Sequence, residues 1–100
     1  MQSGTIMRIR WLRAALRDLD SEMTYVAERD REAAVRMYAL IREKTSLLAR
    51  FPELGRPGRV FGTRELVLEQ HPYIIPYRVK NGVVEILCIF HTSRRQPANW

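Results

Sequence analysis

Internal disulfides are excluded first, because the 100-residue chain has a single cysteine, Cys88, within an apolar stretch. Such a composition fits a reducing cytoplasm, with Cys88 as a small core residue. No apolar run approaches the ~20 residues of a membrane-spanning helix, and no signal-peptide core precedes the domain. A cytoplasmic protein without a membrane partner is therefore expected. Only two histidines occur, His71 and His91, and neither has a Cys or His neighbour at metal-ligand spacing. No metal and no cofactor is expected. Internal repeats and low-complexity tracts are absent too.

Arginine is abundant. It supplies 15 of the 17 basic residues, against 11 acidic ones, for a formal net charge of +6. Each half of the chain carries +3 (ten basic and seven acidic residues, then seven and four), so the charge is spread over the domain. Acidic partners suit such a surface, either nucleic acid or an acidic polypeptide. The length fits one domain that buries about two thirds of its unfolded surface. We expect a flexible segment 1–6, a single domain 7–97 and a trailing end 98–100.

Ile6–Leu12 alternates loosely and reads as a short strand. Residues 13–29 read as a helix, with Ala15, Leu16, Leu19, Met23 and Val26 on one stripe. No Ser, Thr, Asp or Asn caps its start. Asp30 caps a second helix over 31–50, whose apolar face is Ala34, Met37, Ile41, Leu47 and Leu48. The short connection makes the pair an antiparallel hairpin. Two prolines and two glycines in Phe51–Arg59 then impose a loop that carries Arg56 and Arg59.

The stretch Thr63–Pro97 organises the rest as a three-stranded meander. Asn81-Gly82 suits a type I′ turn, which places Val79 opposite Val84, Tyr77 opposite Ile86 and Ile75 opposite Cys88. If His71-Pro72 is also a two-residue loop, Leu66 and Leu68 share the inner face with Tyr73, Ile75, Tyr77 and Val79. Glu65, Arg78 and Glu85 then form a row on the outer face, giving Arg78 a structural place between two carboxylates. Val67, Ile74, Leu87 and Ile89 fall on that outer face as well. Apolar residues there call for a covering partner. Pro76 removes one ladder N–H and predicts a bulge or an edge. The fold class is α+β, with an N-terminal strand and a helical hairpin packed on an antiparallel sheet.

The element order, with Leu48-Ala49-Arg50-Phe51-Pro52-Glu53-Leu54-Gly55-Arg56, Arg64-Glu65-Leu66, Tyr73-Ile74-Ile75-Pro76-Tyr77-Arg78-Val79 and His91-Thr92-Ser93-Arg94-Arg95-Gln96-Pro97, resembles the ParE/RelE superfamily of type II toxin–antitoxin toxins. The Gly-Arg loop, Arg-Glu-Leu, Tyr-Arg-Val and the His-x-x-Arg ending look like the ParE branch. Pro76 departs from that branch, where an aliphatic residue is usual. The resemblance implies a growth-inhibiting, plasmid-stabilising protein encoded beside an antitoxin. That antitoxin folds on the toxin and represses the operon, so the toxin meets operon DNA only through it. Its docking would suit Val67, Ile74, Leu87 and Ile89.

Two mechanisms occur in the superfamily. RelE-like toxins cleave mRNA in the ribosomal A site, which needs general acid–base groups and clustered cations. Aligned on the tyrosine-rich strand, Glu65, Val67 and Ile74 stand where those cations would lie. For a nuclease there remain His91, Arg78 and Arg94, with His91 as a base near neutral pH. ParE-like toxins instead poison DNA gyrase and hydrolyse nothing themselves. Contacts to such a target would come from Arg94 and Arg95 in the tail and Arg56 and Arg59 in the loop. Any single arginine of these is more often a solvated charge.

Overall fold

The computed structural model describes residues 6–93. The expected flexible segment, save Ile6, and the end at 98–100 lie outside that range. Strand β1 (Arg8–Trp11) leads straight into helix α1 (Arg13–Ala27). Helix α2 (Arg31–Ser46) follows and tightens into a 3₁₀ turn, Leu47–Ala49. Then come β2 (Arg56–Pro57), β3 (Arg64–Leu68), β4 (Tyr73–Lys80), β5 (Val83–Ile86) and β6 (Phe90–His91). The six strands form one sheet ordered β1-β5-β4-β3-β2, with β6 paired to β4. Only β1 and β5 run parallel; the other pairs are antiparallel. This is the expected helical hairpin on a meander, with two short strands added.

Local chemistry sets the helix ends. Leu12 precedes α1 without any side-chain cap, and its own N–H donates to Ile86 O at 3.0 Å. Asp30 caps α2 by accepting from Ala33 N at 3.1 Å, as its residue type predicts. The inner faces of the helices meet the sheet through Ala15, Leu19, Met37, Ile41 and Leu48, against Leu66, Ile75, Tyr77, Val84 and Ile86. Fully burying side chains such as Ile41, Leu48 and Ile75 is worth about 1.5–3 kcal/mol each. Two stripe positions depart from the periodic pattern. Leu16 is half exposed and Leu47 lies at the rim. Thr45 takes a core place instead, with its hydroxyl donating to Ile41 O at 2.8 Å.

Asn81 and Gly82 both have positive φ, 53° and 75°, as a type I′ turn demands. Val79↔Val84 and Tyr77↔Ile86 pair as expected. The turn before β4 does not. It takes four residues, 69–72, so Leu68 pairs with Tyr73 and Leu66 with Ile75. A shift of two residues keeps every side chain on its face. It does move Glu65 opposite Pro76 rather than Arg78.

The expected Ile75–Cys88 pair is also absent. Pro76 has no N–H to give, and its carbonyl accepts from Leu87 N at 2.9 Å. Pairing resumes at Ile74↔Phe90, so Leu87, Cys88 and Ile89 face only Ile75 and Pro76. This one-residue bulge reverses the alternation beyond it. Ile89 therefore joins the core instead of the outer face, and Ile89 N donates to Asp18 Oδ2 on α1 at 3.0 Å.

Candidate functional site

The loop between α2 and β3 is braced by residues far apart in sequence. Tyr77 is fully buried on β4, and its hydroxyl donates to Pro52 O at 2.6 Å and accepts from Gly55 N at 2.8 Å. A side chain on Gly55 would place its Cβ 2.7 Å from Tyr77 Cε1 and 2.8 Å from Glu65 O, so only glycine fits. Arg64 Nη1 donates to Gly55 O at 2.7 Å. Glu65, 4% exposed, accepts from Arg56 Nε and Nη2 on one oxygen and from Arg59 N on the other. The Arg59 guanidinium lies 5.8 Å from the centre of the Phe90 ring. The sheet thus brings Arg56 and Arg59 together, already engaged with Glu65 and Phe90. Arg94 and Arg95 lie outside the described residues.

At the start of β4, His91 pairs with Tyr73, and their rings meet edge-on at 5.2 Å. Tyr73 donates to Glu22 Oε1 at 2.9 Å. Ser93 N donates to His91 Nδ1 at 3.2 Å, with Ser93 Oγ 2.8 Å from the same nitrogen. Nδ1 is thereby an acceptor, and the proton of a neutral ring sits on Nε2. Arg78 stands five residues along β4 from Tyr73, roughly 16 Å at ~3.3 Å per residue, on the other face. The nuclease group His91 and Arg78 is therefore not assembled by the sheet.

Arg78 has the structural bond expected of it on one side only. Its Nε donates to Glu85 Oε1 at 2.7 Å, while Glu65 belongs to Arg56. The Arg78 hydrogen bond, with the charges of Arg78, Arg10 and Lys80, holds the Glu85 carboxyl below its usual range despite the opposing effect of burial.

Of the four apolar positions expected to await a partner, only Val67 stays exposed. Ile74 and Leu87 are buried within the chain, and Ile89 has been turned into the core by the bulge. The surface offers two open grooves instead. One, of about 450 Å³, runs between α2 and β3 and is lined by Leu40, Lys44, Leu54, Val67 and Leu68. The other, about 250 Å³, lies between β1 and the helices, with Trp11, Leu16, Tyr38 and Arg42. Burial pushes the Cys88 thiol up to about 12, aided by the Asp18 charge, so it is a poor nucleophile. Among the described residues no three His, Cys, Asp or Glu side chains gather as metal ligands, and no helix is long and apolar enough to cross a membrane.

Residues 9–96 match the family described as ParE toxin of type II toxin-antitoxin system, parDE. The chain belongs to the ParE toxin family. It is thus a toxin of a type II toxin–antitoxin system within the ParE/RelE superfamily. Y4kP of Sinorhizobium fredii is 48% identical over 90 residues, covering 90% of this chain and 93% of that protein. Toxin RelE2 of Caulobacter vibrioides is 36% identical over 87 residues, covering 87% and 97%. Among solved structures, the chromosomal ParDE system from P. aeruginosa superposes with a TM-score of 0.81 at 31% identity, covering 90% of this chain and 100% of that one. The Mycobacterium tuberculosis RelBE2 complex shares the fold, with a TM-score of 0.59 at 23% identity, covering 86% and 98%. Gly55, Arg56, Arg64, Glu65 and Tyr77, drawn from three of the segments on which the resemblance rested, meet in this chain in the brace around the loop.

Proposed function

We propose that this ParE-family toxin inhibits growth by stalling DNA gyrase on cleaved DNA, and that a cognate antitoxin neutralises it by direct binding. The observation that carries the choice of target is the part of the outer sheet face on β3 and the start of β4. Where ribosome-dependent cleavage would need phosphate-balancing cations, it has Glu65, Val67 and Ile74. Glu65 is buried against Arg56 and Ile74 is buried in the chain, so neither can be recruited. For a gyrase poison the chemistry belongs to gyrase, and the toxin need only bind. Arg94, Arg95, Arg56 and Arg59 are the proposed contacts, with Arg56 and Arg59 pre-arranged around Glu65.

The similarity to a ParDE system supports an antitoxin as partner. Val67 and the grooves on either side of the helical hairpin are its proposed seat. Operator DNA would be recognised through the antitoxin.

Cleavage of mRNA on the ribosome is the second reading. His91 favours it, as an imidazole at the end of the sheet with an ordered partner. Two facts weigh against it: the Nδ1 lone pair is committed to Ser93, and Arg78 lies on the other face. The deciding experiment adds antitoxin-free protein to gyrase and plasmid DNA. Loss of supercoiling with accumulation of cleaved DNA, reversed by antitoxin, is expected. Cleavage of A-site mRNA by purified ribosomes and toxin, abolished in His91→Ala, would overturn the gyrase reading.

A further inference from the structure

One corner of the outer sheet face, where β1, β5 and the end of β4 meet, gathers positive charge. Two cross-strand rows lie side by side there. One runs Arg10, Glu85, Arg78, and the next runs Arg8, Val83, Lys80. The rows are two residues apart along the strands, roughly 6.6 Å. Four cations therefore surround one carboxylate, a local excess of three, which is half of the formal +6 of the chain.

Glu85 orients this cluster more than it neutralises it. Its Oε1 holds Arg78 Nε at 2.7 Å, and its Oε2 stands 3.7 Å from Arg10 Nη1. The Arg10 side chain is still 69% exposed and that of Arg78 39%. Arg78 gives Glu85 only its Nε, which leaves the outer edge of the guanidinium for another acceptor. A fork of that shape matches phosphate oxygens. Like charges on neighbouring strands repel, so stability alone gives no reason to cluster them.

The composition of the corner selects the occupant. Its only apolar member is Val83, which is half-buried. Exposed Leu54, Val67, Leu16 and Tyr38 line the two grooves instead. A polypeptide that folds on binding needs several such apolar anchors, and the two rows of this corner offer only half-buried Val83. Single-stranded nucleic acid is held by aromatic platforms, and neither row has an aromatic residue. A duplex backbone requires cations on a broad surface and nothing more.

We propose that Arg8, Arg10, Arg78 and Lys80 form a sequence-independent contact surface for the phosphate backbone of duplex DNA. This contact is separate from operator recognition by an antitoxin. It does not rest on gyrase being the target, so a negative gyrase assay leaves it standing.

The test is fluorescence anisotropy of full-length, antitoxin-free protein with a short DNA duplex of arbitrary sequence, across a salt series. Four released phosphate contacts predict a slope of log K against log salt near −3.6, at roughly −0.9 per contact. The double variant Arg8→Gln, Lys80→Gln should be shallower by about 1.8 with an unchanged unfolding midpoint. Arg31→Gln with Arg36→Gln, two exposed positions on α2, should leave the slope unchanged. The proposal is overturned by absence of duplex binding at low salt, by an equal loss in the α2 variant, or by equal or tighter binding of single strands or an acidic peptide.

Discussion

Tyr77 anchors the arginine-bearing loop with one hydroxyl that donates to Pro52 O and accepts from Gly55 N. Both partners are backbone groups, Gly55 N in a buried bond and Pro52 O in a half-buried one, so water is a poor substitute for the hydroxyl, above all at Gly55. Tyr77→Phe keeps the ring and its packing but leaves two polar groups unmatched, which costs about 1–3 kcal/mol. Gly55→Ala attacks the same contact from the other side by forcing a methyl against Tyr77 and the Glu65 carbonyl, at a similar ~1–3 kcal/mol. Urea unfolding of the two variants should give lower midpoints with unchanged slopes. If Tyr77→Phe unfolds at the wild-type midpoint, the brace does not support the loop. The residues of this brace were visible in the sequence as separate motifs. Their contact was not, because Gly55 and Tyr77 are 22 residues apart and Gly55 lies in a loop that has no periodicity to read. Thr45 was hidden for another reason: a hydroxyl breaks the apolar stripe unless its bond to the preceding turn is known.

Elements with strong local chemistry were the readable ones. The Asp30 cap, the Asn81-Gly82 turn and the helical stripes each rest on neighbours within a few residues, so one sequence suffices to place them. The turn at 69–72 and the bulge at Leu87–Ile89 rest on pairing across the sheet instead, and Pro76 revealed that a break was due without saying which face would gain. That bulge made Ile89 a core residue and Asp18 its partner on α1. Desolvation raises the Asp18 carboxyl above its ordinary value, against the pull of the Ile89 N–H bond and the Arg17 charge. A raised folded-state pKa means that the site's stabilising share is present in acid, below the unfolded value. It is lost as pH rises through the folded value. Asp18→Asn retains an oxygen acceptor for Ile89 N without the half-buried charge. It should match or exceed wild-type stability at pH 7 and lose this part of the pH dependence. Asp18→Ala should be less stable by about 0.5–1.5 kcal/mol, having no acceptor at all. Thermal melts at mildly acidic and neutral pH check both, and a destabilised Asp18→Asn at neutral pH would contradict the assignment.

The described surface mixes its chemistry: cations gather at one corner of the outer sheet face, and the grooves flanking the helices combine exposed apolar side chains with charged ones such as Lys44 and Arg42. Exposed Leu54 and Val67 belong to the groove beside β3, while Leu16 and Tyr38 belong to the one beside β1. These are opposite edges of the sheet, so a single antitoxin segment that fills both must wrap the helical hairpin. Such a wrap buries more than the ~1,600 Å² of a standard interface, and the segment would order as it binds. A partner that binds the folded chain and not the unfolded one raises stability by RT ln(1 + [L]/Kd), about 2.7 kcal/mol at a hundredfold excess over Kd. For a domain of this size that corresponds to a Tm increase of roughly 10–20 °C. Val67→Glu places a charge in the larger groove at an exposed position, so the free chain should melt as wild type does. Its antitoxin-induced shift should fall by several degrees, because the added carboxylate must lose water when the groove fills, and Glu43, Glu65 and Glu69 already line that groove beside Lys44 and Arg56. Differential scanning calorimetry with and without antitoxin reads both quantities. An unchanged shift in Val67→Glu would remove the groove beside β3 from the interface and leave the one at Trp11, Leu16 and Tyr38 to carry the binding.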